Sequence, residues 1–160
     1  MAPRMPPTPW TPKTSSESSA PSIFFRPLTP HRHTTPASKF HVDKTFDDLD
    51  MNDYDAVLLP GGVVNSDTIR TDESAQKLVR DAAAANKPIA VICHGGWLLV
   101  SAGLVNGKTM TSYRTLKDDL VNAGANWVDK EVVTDGILVS SRQPDDIPAF
   151  NRELIQLLSA

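Results

Sequence analysis

A chain of 160 residues is the length of one domain, and 40% hydrophobic with 22% charged residues is an ordinary globular composition. A formal net charge of −3 leaves no overall basic excess for nucleic acid, and no apolar run approaches the roughly 20 residues that span a bilayer. The single cysteine cannot form an internal disulfide, which suits a reducing, cytoplasmic setting.

These totals hide a division. Residues 1–36 hold nine of the thirteen prolines, with four basic residues and one acid, among many Ser and Thr. Proline removes backbone donors, and the segment has no period of 2 or 3.6, so a disordered Pro/Ser/Thr-rich stretch is expected over 1–37. It is Ser-rich and acid-poor like a transit peptide, but arginine is sparse and the prolines oppose an amphipathic helix. Ile23-Phe24-Phe25 is too short for the apolar core of a secretory signal. The folded domain is expected over 38–160.

In chain order, Phe40, Val42 and Thr45 alternate with polar residues and suggest a short edge strand. Asp47-Asp48-Leu49-Asp50 suggests a loop or helical turn. Asp55-Ala56-Val57-Leu58-Leu59 is a short apolar run stopped by Pro60-Gly61-Gly62, the pattern of a buried strand running into a flexible loop. A helix follows, capped by Asp72 or Thr71, with Ala75, Leu78, Val79 and Ala82 on one face. Lys87-Pro88 stops it, and Ile89-Ala90-Val91-Ile92 is a second buried strand. Beyond Cys93-His94-Gly95-Gly96, the stretch Trp97–Ala102 suggests a buried helix ending at Gly103. Asn106-Gly107 marks a turn. Leu116, Leu120 and Val121 mark a helix closed by Gly124. Val132-Val133 and Ile137-Leu138-Val139 flank Asp135-Gly136, a hairpin signal. Ile147, Phe150, Leu154, Ile155 and Leu158 define a last amphipathic helix.

Strands alternating with helices imply an α/β protein with a mostly parallel sheet covered on both faces. Ligand sites in such sheets lie beyond the carboxyl ends of the strands. The Gly61-Gly62 loop and Cys93-His94-Gly95 both fall there. A tight strand-to-helix turn lifts a side chain out of the sheet, and a following helix N-terminus favours thiolate. Gly95 supplies the small residue such a turn needs. Amides of the residue after Cys93 and of the Gly61-Gly62 loop could converge on an oxyanion, and His94 is a candidate base. The plainer alternatives are a cysteine that is merely a small buried hydrophobe, a loop histidine, and glycines that serve only turns. The histidines and the cysteine show no metal-ligand spacing.

Asp55–Gly62, Lys87–Gly95 and Thr111-Ser112-Tyr113, followed by Lys117-Asp118-Asp119, Asn122–Asp129 and Ser140-Ser141-Arg142, closely resemble the PfpI-type intracellular protease family. That family lies within the DJ-one/PfpI superfamily, which has the class I glutamine amidotransferase-like fold. The resemblance runs from about residue 38 to the C-terminus. It implies a flavodoxin-like three-layer sandwich with Cys93 as nucleophile, His94 beside it, Gly61 and Gly62 as oxyanion loop, and no cofactor. It also implies a homo-oligomer and a stress-linked peptidase, glyoxalase-like or deglycase activity.

Three departures stand out. The family's first strand, helix and strand are replaced by the Pro-rich segment, so the chain is N-terminally truncated relative to the family and an apolar sheet edge is expected. Gly96 replaces a proline. Where a neighbouring subunit's acid orients the histidine, this chain has Ser66, with Asp67 next to it. Asp67 is expected either to substitute for that acid or to cap a helix. Arg142 matches a family arginine and is expected either to bind an anionic substrate group or to pair with Asp145 or Asp146.

The leading expectation is a cysteine-dependent hydrolase or deglycase acting on a peptide, a small carbonyl compound or a glycated adduct. Attack on a peptide gives an acyl-enzyme. Attack on an α-oxoaldehyde or its adduct gives a hemithioacetal. The alternatives are a catalytically weak, redox-responsive or binding protein, or a truncated product of low activity.

Overall fold

The computed structural model describes residues 42–159 and the strand Ile23–Phe24. Its main sheet holds β1 (Ile23–Phe24), β2 (Val57–Leu59), β3 (Ile89–Ile92), β6 (Val132–Asp135) and β7 (Leu138–Ser141), in the order β1-β2-β3-β7-β6. All neighbours are parallel except the β6–β7 hairpin. A separate parallel pair is formed by β4 (Thr109–Met110) and β5 (Asn126–Trp127). The helices are α1 (Val63–Ile69), α2 (Glu73–Ala84), α3 (Gly96–Ser101), α4 (Lys117–Asn122) and α5 (Ile147–Leu158).

The layers follow from the period of a strand. In the apolar runs of β2 and β3, Val57, Leu59, Ile89 and Val91 enter the large core with residues of α2, α3 and α4. Their neighbours Leu58, Ala90 and Ile92 face the opposite side, where Phe150, Leu154 and Leu157 of α5 pack on them. Both faces are thus covered, which is why these strands are continuously apolar rather than alternating. The result is an α/β three-layer sandwich.

Helix α2 forms where expected. The Asp72 side chain accepts from the Ala75 amide at 2.9 Å, and Ala75, Leu78, Val79 and Ala82 are buried. At its far end the Lys87 ammonium donates to the carbonyls of Met51 and Tyr54, tying the preceding loop to the start of β3.

Several elements differ from expectation. Val42 and Thr45 lie in no strand, and Val42 is exposed; Phe40 falls outside the described residues. Helix α1 is an addition. Its sequence, Val-Val-Asn-Ser-Asp-Thr-Ile, is poor in helix formers and buries only Ser66, so no apolar stripe announces it. β4 and β5 are two residues each, too short to show a period. Within the Pro-rich segment, Ile23–Phe24 forms a strand against Val57 and Leu58, so this stretch of the β2 edge is paired rather than open. The expected disorder over the rest of 1–37 lies outside the described residues.

Candidate functional site

β2 and β3 end side by side, with Leu59 in register with Val91. The chain leaves β3 through a 3-10 turn, Cys93–Gly95, that runs directly into α3. Cys93 has a φ of 63°, left-handed backbone that is costly for a residue with a side chain. Such a conformation costs about 1–3 kcal/mol and persists only where its surroundings enforce it. Two glycines admit the necessary close approach. A Cβ on Gly61 would stand 2.6 Å from Cys93 Cβ and 3.1 Å from Sγ, and one on Gly95 would stand 2.8 Å from the Leu59 carbonyl oxygen. Gly62 caps α1 on the same loop.

The turn leaves Cys93 partly exposed and buries His94. The two side chains meet, with Cys93 Sγ 3.2 Å from His94 Nδ1. The other ring nitrogen, Nε2, is 3.2 Å from Thr115 Oγ1, on the 3-10 turn Arg114–Leu116 before α4. The imidazole is held between the rings of Tyr113, at 5.0 Å, and Trp97, at 5.3 Å and edge-on. The Tyr113 amide donates to the Cys93 carbonyl at 3.2 Å, fixing that loop to the elbow. Trp97 is itself anchored, its Nε1 donating to Asp119 at 2.7 Å, with the Arg70 guanidinium over its ring. Burial holds the His94 pKa below its ordinary value, which favours the neutral ring, with one nitrogen free to accept a proton. Helix α3 has only six residues, so the immediate polar partner of the thiol is the imidazole rather than a long helix dipole.

The remaining expected residues fall elsewhere. Asp67 lies inside α1, exposed, and forms no hydrogen bond to His94 within the chain; the cap of that helix is Gly62, so the capping expectation is corrected. Ser66 is buried, and its hydroxyl has no partner among the described residues. Arg142 follows Ser141, which registers with Ile92, and so emerges at the same end of the sheet as Cys93. Its guanidinium is held by Asp146 through two bonds of 2.9 and 3.0 Å, and by Asp129 at 2.6 Å. Of the two expectations, the structure shows the pairing, with Asp146 and not Asp145. Those carboxylates raise the arginine's pKa further, and the arginine holds Asp146 below the usual carboxylate range.

The sequence pattern does not single out Thr115 or Trp97 as site residues, and it marks Tyr113 only as part of a motif. Thr115 is 21 residues from His94 in the chain, and no local pattern joins them. Among the described residues, no group of His, Cys, Asp or Glu is placed to hold a metal, and no helix is long and apolar enough to cross a membrane.

A mostly parallel α/β sheet with a cysteine–histidine pair on a strained turn at its carboxyl edge defines a class of proteins built around an elbow thiol. Within that class the chain belongs to the DJ-1/PfpI family, whose model matches residues 29–157. It is 45% identical over 117 residues to Deglycase PfpI of Pyrococcus furiosus, covering 73% of this chain and 70% of that protein. It is 44% identical over 120 residues to Protein/nucleic acid deglycase 2 of Escherichia coli, covering 74% and 69% respectively. Among solved structures, Drosophila melanogaster DJ-1beta is similar with a TM-score of 0.63 and 32% identity, over 72% of this chain and 60% of that one.

Proposed function

We propose that this chain is a cysteine-dependent deglycase whose substrates are early adducts of α-oxoaldehydes with amines. The observation that carries the reading is the 3.2 Å contact between Cys93 Sγ and His94 Nδ1 on a left-handed elbow. The names of the similar proteins from P. furiosus and E. coli favour adducts over peptides as substrate.

In this mechanism the thiol proton passes to His94 Nδ1 and the sulfur keeps the electron pair. The thiolate displaces the amine at the carbinol carbon of the adduct. The C–N electron pair leaves with the amine, which takes the proton from His94, and a hemithioacetal remains on Cys93. The proton on its carbinol carbon is removed and returned to the adjacent carbonyl carbon, while the carbinol hydroxyl proton passes to the former carbonyl oxygen, converting the hemithioacetal to a thioester. The enediolate on that path carries negative charge on oxygen, and backbone amides of the Gly61-Gly62 loop and of His94 are the donors assigned to it. Water hydrolyses the thioester to a 2-hydroxy acid and the free thiol. The net change is adduct plus water to amine plus hydroxy acid.

The test is release of free amine and 2-hydroxy acid from a methylglyoxal-treated amino acid, with a fluorogenic peptide in parallel. Turnover of the adduct that is lost in Cys93→Ala is the expected result. Equal release by the parent and the variant overturns the reading. Peptide cleavage without adduct turnover replaces it with a peptidase.

A further inference from the structure

The buried imidazole has two ring nitrogens, and their partners differ. Nδ1 faces the thiol and Nε2 faces the Thr115 hydroxyl, each at 3.2 Å. Among the described residues no carboxylate bonds to either nitrogen. The rings of Trp97 and Tyr113 flank the imidazole, and Arg70 and Asp119 are in turn held on Trp97. A neutral imidazole carries one N–H, and the nitrogen that lacks it is the acceptor. To take the thiol proton, Nδ1 must be the bare nitrogen, which requires Nε2–H to have an acceptor of its own.

We propose that Thr115 is a positioning residue, whose hydroxyl oxygen accepts from His94 Nε2 and so selects the tautomer that presents Nδ1 to Cys93. The elbow then carries a Cys–His–Thr relay within one chain. When Sγ gives its proton to Nδ1, both N–H groups of the imidazolium have partners, the thiolate and the threonine oxygen. A hydroxyl is a weaker acceptor for a cation than a carboxylate. The relay therefore yields a base that takes the proton during attack rather than a standing ion pair, in accord with a ring that burial keeps neutral. This inference rests on the proposed reaction only for its consequence in turnover; the tautomer is a property of the free protein.

Thr115→Val tests it, because a methyl group takes the place of the hydroxyl without changing the shape of the side chain. Two readouts are made on the intact protein. The first is the tautomer of His94 from imidazole nitrogen NMR, assigned with a His94→Gln control. The parent is expected to be protonated at Nε2, and the variant is expected to shift toward Nδ1–H. The second is alkylation of Cys93 by iodoacetamide across pH. The variant is expected to react about tenfold more slowly near pH 7, the size of effect that follows losing a hydrogen bond to a charged group. The alkaline plateau, where the base is not needed, should not change. Thr115→Ser should restore both properties. An unchanged tautomer and rate–pH profile in Thr115→Val overturns the proposal. So does a loss that Thr115→Ser shares, or a fall in rate that is uniform across pH. If the parent shows the expected tautomer yet turns over no adduct, the deglycase reading fails and the positioning role stands.

Discussion

At Cys93 the backbone and the side chain make opposing demands. The left-handed φ of 63° strains the residue, and the same conformation brings the sulfur to His94. Gly61 enforces that arrangement from the neighbouring strand end. Gly61→Ala would force a methyl group to within 2.6 Å of Cys93 Cβ, with the Ile92 carbonyl oxygen at 3.0 Å on another side. Overpacking of this kind costs about 1–3 kcal/mol, and here it displaces the sulfur. The expected outcome is a lower thermal midpoint together with loss of rapid alkylation by a thiol probe. A variant that keeps the parent alkylation rate would show that the loop yields without moving the thiol. Cys93, His94 and both glycines were legible in the sequence because each sits at the end of a continuous apolar run. The partners of His94 were not legible. Thr115 is an ordinary polar residue on a short turn, and only the fold brings it to the ring.

Among the elements, legibility followed length and periodicity. Helix α2 carries a capping aspartate and four buried positions at helical spacing, and β2 and β3 are apolar runs that end in glycine turns. Helix α1 defeated the same reasoning because β-branched and short polar residues fill it and only one side chain is buried. It forms because the Gly62 turn starts it and the Ser66 carbonyl accepts from Arg70 at its end. Helix α3 begins with Gly96 in helical backbone, and a Cβ there would meet Leu116 at 3.6 Å and Leu120 and Met110 at 3.9 Å, all ordinary contacts. Gly96→Ala is therefore expected to stabilise the protein by about 0.4–1 kcal/mol, through the entropy that glycine loses on folding. Denaturant titration with an unchanged m-value would register this as a rise in midpoint. A fall in midpoint would mean that α3 needs the glycine for a reason other than its backbone.

Across the whole molecule, one ion cluster ties the loop after β5 to the turn that leads from β7 into α5. Asp129 follows β5, Arg142 follows β7, and Asp146 precedes α5 and is almost wholly buried. The arginine therefore pins α5, which covers one face of the sheet, to the edge where the thiol emerges. Because Asp146 has a folded pKa below its ordinary value of 3.8, its contribution is fully present above about pH 4 and is lost as pH falls through the lowered value. Asp146→Asn should cost about 1.5–3 kcal/mol at pH 7, the range for hydrogen bonds to charged groups. The acid limb of its stability curve should then be flatter than the parent's. Parallel acid limbs in the two proteins would show that another carboxylate governs acid unfolding. The sequence left the use of Arg142 open because an arginine near two aspartates and near a thiol elbow fits either role; the register of β3 against β7 and the burial of Asp146 decide which partners it takes.

The elbow residue is also the only sulfhydryl in the chain. Its surroundings come from segments around residues 61, 94 and 115, which meet only when the chain is folded. A single covalent tag placed there therefore reads the integrity of the assembled site and not just the presence of the amino acid. Tagging speed, followed through heating or denaturant, would reveal whether this corner opens ahead of the rest of the sandwich or together with it.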